Sequence, residues 1–143
     1  MPSVRKSVIV PHSAATMFEL VDACERYPEF LPWCRSAAVL ERTESVTRGR
    51  LDIDFRGFRS RIATINHKRA PHEIVLELQD GPFESFHGRW TFDALGEGGC
   101  KVTLDIDYTL ASGALQVVVA PVFGFITETL VERFVERADA VDS

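Results

Sequence analysis

Four histidines, three cysteines and two pairs of carboxylates are the side chains of this 143-residue chain best suited to catalysis or metal binding. Their spacing serves neither. His12, His67, His72 and His87 make no His-Glu-x-x-His pattern and no Cys/His ligand spacing. Cys24, Cys34 and Cys100 are widely separated and odd in number, with no Cys-x-x-Cys pair, which predicts buried free thiols. Asp52/Asp54 and Asp105/Asp107 each lie two residues apart, so both members of a pair fall on the outward face of a strand. General acid–base work would need a carboxylate on the dry side, where burial raises the pKa of such a group, and none is placed there. Lys6 and Ser60 are the polar residues that strand phase turns inward, both near strand ends. There is no Gly-x-Ser-x-Gly, no P-loop and no Gly-x-Gly-x-x-Gly after a strand; Gly96 to Gly99 reads as a hairpin tip. The expectation is a binder with no catalytic residue, metal or catalytic cofactor, and an enzyme is the weakest reading.

Two other sets of residues carry more. Phe30, Trp33, Phe55, Phe83, Phe86, Trp90, Phe92, Tyr108, Phe123 and Phe125 are spread along most of the chain. Flat, polarizable rings serve core packing, and they equally suit a planar or polyisoprenoid ligand. The second set is basic. Net charge is −5, which argues against a generally basic nucleic-acid binder. Between Arg48 and Arg69, however, seven basic residues (Arg48, Arg50, Arg56, Arg59, Arg61, Lys68, Arg69) face only Asp52 and Asp54, so this segment is +5 and the remainder −10. Such a ribbon is a candidate contact for the phosphates of RNA or of an anionic lipid surface. The alternative is a solvated strand face, where charge discourages edge pairing.

The elements that must position these residues follow from periodicity. Ser3 to Val10 reads as a strand. Ser13 caps a helix from Ala14 to about Ala23, with Met17, Phe18, Leu20 and Val21 as its apolar stripe. A short second helix or turn covers Glu25 to Leu31, interrupted by Pro28 and ended by Pro32. Period-two alternation then predicts strands at Ala37–Glu44, Arg50–Phe55, Phe58–Ile65, Glu73–Gln79, Ser85–Phe92 and Lys101–Leu110. From Ala114 to Ile126 only Gln116 is polar. The chain then turns amphipathic, with Val119, Val122, Phe123, Ile126, Leu130, Phe134, Ala138 and Val141 on one helical face. The 13-residue apolar run is too short to span a bilayer and contains Pro121, and no secretory signal is visible, so a cytoplasmic protein is expected. The whole chain, 1–143, reads as one α+β domain. An antiparallel sheet of six or seven strands, with one wet face, bends around the long C-terminal helix and leaves a cavity.

The string Tyr27-Pro28-Glu29-Phe30-Leu31-Pro32-Trp33-Cys34, followed by Val39-Leu40, resembles the entrance-helix motif of the coenzyme Q-binding, polyketide-cyclase-like family. Asp80-Gly81-Pro82-Phe83 with Phe86-His87-Gly88-Arg89-Trp90-Thr91-Phe92 resembles its second signature, and Ile126 to Val141, with Phe134 and Arg137-Ala138, its last helix. The resemblance implies the START or birch-pollen-allergen "helix-grip" fold, with two short helices after the first strand. It also implies one of two functions. The first is non-enzymatic binding of ubiquinone or a related isoprenoid lipid in support of respiration, with transient contact at the inner face of the membrane. The second is that of RatA-type toxins, which bind the large ribosomal subunit and block its association with the small one. DNA is not an expected partner. Carried over by position, the ligand wall would be Phe30, Leu31, Trp33, Phe83, Trp90, Phe92, Phe123 and Ile126. Inward phase and the final helix stripe add Phe55, Phe86, Tyr108 and Val119. Leu115, Val117, Val118 and Phe125 would form the mouth.

Overall fold

Ser3–Val10 forms β1, and the strand that pairs with it is the last one in the chain. A computed structural model describes residues 3–55 and 57–141, with residues 115, 116, 118 and 119 described for the backbone alone. After β1 come α1 (Ala14–Asp22), a 3-10 helix (Cys24–Glu29), β2 (Cys34–Arg42), β3 (Val46–Phe55), β4 (Phe58–Arg69), β5 (Glu73–Asp80), β6 (Phe83–Leu95), β7 (Gly99–Leu110) and α2 (Gly113–Val141). The seven strands make one antiparallel sheet in the order β1-β7-β6-β5-β4-β3-β2. Strands β2 to β7 are a meander of hairpins. β1 closes back on β7 from Ser3 opposite Asp107 to Val10 opposite Cys100. The helical connection from β1 to β2 therefore joins the two edges of the sheet.

Local chemistry sets each element. Ser13 caps α1 by accepting from the Thr16 amide at 3.1 Å. Gly57, at φ 85°, supplies the left-handed turn between β3 and β4. β2 begins at Cys34 rather than Ala37, and its pairing with β3 shifts register twice, between Cys34 and Ser36 and between Val39 and Glu41. Such bulges break strict alternation. β3, β4 and β6 extend beyond their clean alternating cores because polar residues at their ends still pair, as Thr47 does with Asn66. Lys6 has the inward phase, opposite Leu104. At the sheet edge it is exposed, beside Val8 and the α2 residues Glu128, Glu132 and Glu136. Ser60 is half-buried. Among the described residues no helix is long and apolar enough to cross a membrane.

α2 lies on the concave face of the sheet. Its C-terminal half is fixed by Phe134, which meets Tyr27, Phe30 and Trp90 edge-on. Arg137 bonds Glu29 at 2.6 Å, and His12 bonds Asp139 at 2.7 Å. α1 contributes Met17, Phe18 and Val21 to the core, with Phe18 edge-on to Phe92.

Asp22 ends α1, where a carboxylate meets the unfavourable end of the helix dipole. Three partners offset that. Thr47 Oγ1 donates to Asp22 Oδ1 at 2.7 Å, Lys68 Nζ to Oδ2 at 3.2 Å, and Arg42 Nη2 to the Asp22 carbonyl at 2.8 Å. The Lys68 side chain is 5% exposed. It is therefore a buried ion-pair partner on the concave side and not a surface contact, which corrects its place in the basic ribbon. Asp22→Ala should destabilise the protein by about 3–5 kcal/mol, because it strands a buried ammonium. Asp22→Ala with Lys68→Met should recover most of that loss in urea titrations.

All three cysteines are buried free thiols. Burial pushes the Cys24 thiol up to about 11 and the Cys34 thiol up to about 12, and raises the buried Tyr27 phenol in the same direction. The unfolded chain releases a thiol proton near the ordinary value of 9.0, whereas the folded chain keeps it. Stability should therefore fall as pH rises above about 9, read as a lower urea midpoint at pH 10.5 than at pH 8. At pH 8 a thiol reagent should modify Cys24 and Cys34 only as fast as the fold opens.

Candidate functional site

One helix cannot fill the concave side of a seven-stranded sheet, and a cavity of about 110 Å3 remains between them. Each surrounding element contributes. Val21, Cys24 and Tyr27 come from α1 and the 3-10 helix, and Trp33 from the segment before β2. Gly49, Leu51 and Ile53 of β3 and Ile62, Thr64 and Asn66 of β4 line the sheet side, with Leu76, Phe86, Trp90 and Ile106 beyond them. α2 supplies Phe123, Ile126, Thr127, Leu130 and Phe134. Gly49 lets the sheet approach the 3-10 helix closely: a Cβ there would lie 2.9 Å from Cys24 Sγ.

The polar groups on this wall are few. Thr64 Oγ1 donates to Asn66 Oδ1 at 2.8 Å, Tyr27 Oη donates to the Val21 carbonyl, and Thr127 Oγ1 donates to the Phe123 carbonyl at 2.9 Å. Trp33 Nε1–H is buried without a partner among the described residues. Among the described residues no carboxylate, imidazole, lysine or arginine lines the cavity. Such a wall can hold an apolar body and donate a hydrogen bond, but it offers no acid–base pair. Among the described residues no three His, Cys, Asp or Glu side chains are grouped to hold a metal.

The structure sorts the residues expected at the ligand wall. Trp33, Phe86, Trp90, Phe123 and Ile126 line the cavity. Leu31 and Phe92 do not; they are fully buried core, with Phe92 stacked behind Trp90 at 6.2 Å. Phe83 and Tyr108 are also displaced from the wall, packed around Phe123 at 5.1 and 4.7 Å. Phe30 packs on Phe134 beneath the Arg137 guanidinium. Phe55 stacks on Phe125 at 5.3 Å, beside the β3–β4 turn. The Val119 side chain lies outside the described residues, as do those of Leu115 and Val118. Val117 and Phe125 are exposed. Thr64, Asn66, Tyr27 and Gly49 were not expected at the wall. For Asn66 the signal is the inward phase it shares with Ile62 and Thr64, which a strand ending at Ile65 cuts short.

The basic ribbon occupies the convex face. Arg59 pairs with Asp54 at 3.3 Å, Arg61 with Asp52 at 2.9 Å and Arg48 with Glu41 at 3.9 Å. The Ser36 hydroxyl and Arg61 together hold the Asp52 carboxyl below its usual pKa. Arg50 sits between Ala38 and Ala63 in register, and its Nε, like that of Arg48, is buried without a partner. Arg69 borders a surface hollow with His72, Glu73 and Asp93. Arg56 lies outside the described residues. Arg35, absent from the expected set, shares a second hollow with Arg59 and Arg61. The face is thus a mesh of alternating charge.

Comparison with known proteins agrees with this architecture. Residues 10–135 match the family described as "Polyketide cyclase / dehydrase and lipid transport". The chain is 38% identical to the ribosome association toxin RatA of Pseudomonas aeruginosa over 94% of both chains. It is 35% identical to the protein of that name from Vibrio cholerae, over 99% of this chain and 98% of the relative. Its fold is similar to that of a START superfamily protein from Mycobacterium smegmatis, with TM-score 0.82 and 25% identity over 97% of this chain and 98% of that one. It is also similar to the Zhui aromatase/cyclase of Streptomyces, with TM-score 0.81 and 16% identity over 96% and 93%. The fold is therefore shared with enzymes. The chain belongs to the polyketide cyclase/dehydrase and lipid transport family.

Proposed function

We propose that the protein associates with the ribosome, at the large subunit, and interferes with subunit joining. The observation that carries this reading is near-full-length identity of 38% and 35% to relatives named ribosome association toxins. The convex face is compatible with it. Its ion pairs are exposed, so they are weak and exchangeable for phosphate. Affinity for RNA phosphates would fall steeply with salt as fewer counterions are released. Overexpression should deplete intact ribosomes and enrich free subunits in sucrose gradients. Arg50→Glu with Arg61→Glu should restore the profile. An unchanged profile on overexpression of the unaltered protein would overturn the reading.

A second reading, binding of an apolar ligand such as ubiquinone or a related isoprenoid lipid, is favoured by the cavity itself. Its wall is almost wholly apolar and carries no acid–base pair, which supports binding without catalysis. At about 110 Å3 it is smaller than the roughly 150 Å3 that admits benzene in an engineered apolar core. A quinone with a tail would therefore need α2 to move outward. The segment suited to moving holds Pro121 and Gly124 and exposes Val117 and Phe125. Burying a few hundred Å2 of ligand at roughly 25 cal/mol per Å2 is enough for micromolar binding after association costs. Native mass spectrometry of protein purified from respiring cells should show a bound lipid that extracts as a quinone or isoprenoid. Protein that is empty and also fails to take up ubiquinone would refute this reading.

A further inference from the structure

The cavity carries hydrogen-bond donors that nothing in the fold uses. β4 lends it Ile62, Thr64 and Asn66, spread over about 13 Å of strand. Asn66 is buried, at 8% exposure. Its Oδ1 accepts from Thr64 Oγ1 at 2.8 Å, so the oxygen end of the amide is occupied. The NH2 end offers two donors, and neither meets a protein acceptor among the described residues. Trp33 Nε1–H, on the same wall, is likewise unpaired.

The hydroxyls on the wall are in the opposite condition. Those of Tyr27, Thr64 and Thr127 all donate within the protein. Idle lone pairs are tolerated in buried sites better than idle N–H groups. The unmet demand is therefore for an acceptor. That acceptor is not an anion. Among the described residues no cation lines the cavity, and Lys68, the next inward residue of β4 after Asn66, is bound to Asp22. An anion there would be a buried unpaired charge.

We infer that the cavity takes an uncharged, mainly apolar molecule bearing a carbonyl-type oxygen, which sits on the Asn66 amide. Its hydrocarbon body runs from there past Ile62 towards Phe86 and Phe123. The inference rests on the cavity being a ligand site, and it adds the ligand's polarity and orientation. A single water can occupy the same donors in the free protein and be displaced by the carbonyl.

Two probes of one shape test it: cyclopentanone, and methylenecyclopentane, in which C=CH2 replaces C=O. Both are titrated into 15N-labelled protein and followed by NMR. Cyclopentanone should move the Asn66 side-chain amide resonances downfield, and methylenecyclopentane should not. Asn66→Leu should weaken cyclopentanone about three- to tenfold while leaving methylenecyclopentane unchanged or tighter. If both probes bind and Asn66→Leu alters them equally, the acceptor assignment fails and the cavity remains a ligand site. If neither binds, both fail together. Should Asn66→Leu not fold, the amide shift in the unaltered protein decides: an Asn66 amide that ignores bound ketone overturns the inference.

Discussion

Phe134 is where the 3-10 helix, the sheet and α2 are held together. It is 1% exposed and meets Tyr27 of the 3-10 helix, the adjoining Phe30 and Trp90 of the sheet, each ring centre 5.3 Å away. Edge-on aromatic contacts add directional preference to burial, so this cluster fixes the height of α2 above the sheet as well as its position. Arg137 with Glu29 and His12 with Asp139 fasten the same half of the helix. The other half is held by Phe123, which packs among Phe83, Phe86 and Tyr108, and by Phe125, which stacks on Phe55. It begins in a run without charge, carries Pro121, and leaves Val117 and Phe125 in solvent. The cavity lies between these two ring clusters: a helix held at Phe134 and at Phe123 over a concave sheet stands off from it in between.

Polarity within the concave side is graded along β4. Ile62 is apolar, Thr64 and Asn66 are polar and neutral, and Lys68 is charged but neutralised by Asp22. A buried charge needs a partner of good geometry, and Asp22 has Thr47 as well as Lys68. This ion pair closes the far end of the row and fastens the end of α1 to β3 and β4. It also keeps the cavity itself free of net charge. The thiols on this side follow the same logic. Cys24 faces the cavity but burial holds it protonated, so it behaves as a small apolar wall residue.

Much of this was legible in the sequence, and the failures have particular causes. The alternation of Val102, Leu104, Ile106, Tyr108 and Leu110 against Lys101, Asp105 and Asp107 announces a sheet with one dry face, and all five of the first set are buried. The apolar stripe from Phe123 through Phe134 to Ala138 announces the helix that covers it. Asn66 goes unnoticed and Lys68 is taken for a surface residue for one reason. Alternation was judged by hydrophobicity, so β4 seemed to end at Ile65, although the polar residues beyond it keep the same phase and turn inward. Phe30 and Phe83 are expected at a ligand wall from their place in the resembled motifs, and Tyr108 from its inward phase. Ring–ring packing satisfies them instead, and sequence does not tell a ring that faces another ring from one that faces a void. The arginine ribbon had a similar fate. Counting charges along the chain hid that Arg59 and Arg61 stand across the ladder from Asp54 and Asp52.

Period-two geometry also explains how one small sheet carries two candidate surfaces. Along β3, Gly49, Leu51 and Ile53 face the cavity, while Arg48, Arg50 and Asp52 face out. Along β4, Ile62, Thr64 and Asn66 alternate with Arg61, Ala63 and Ile65. Neighbouring residues therefore belong to opposite faces of one two-stranded unit. The concave face is nearly free of charge, because an unpaired charge there would be desolvated. The convex face tolerates many charges, because water and nearby carboxylates screen them. An apolar guest and a polyanionic partner make opposite demands on a surface. In this fold they are met one residue apart without competing for the same side chains, so the two readings can be separated by substitutions on a single strand.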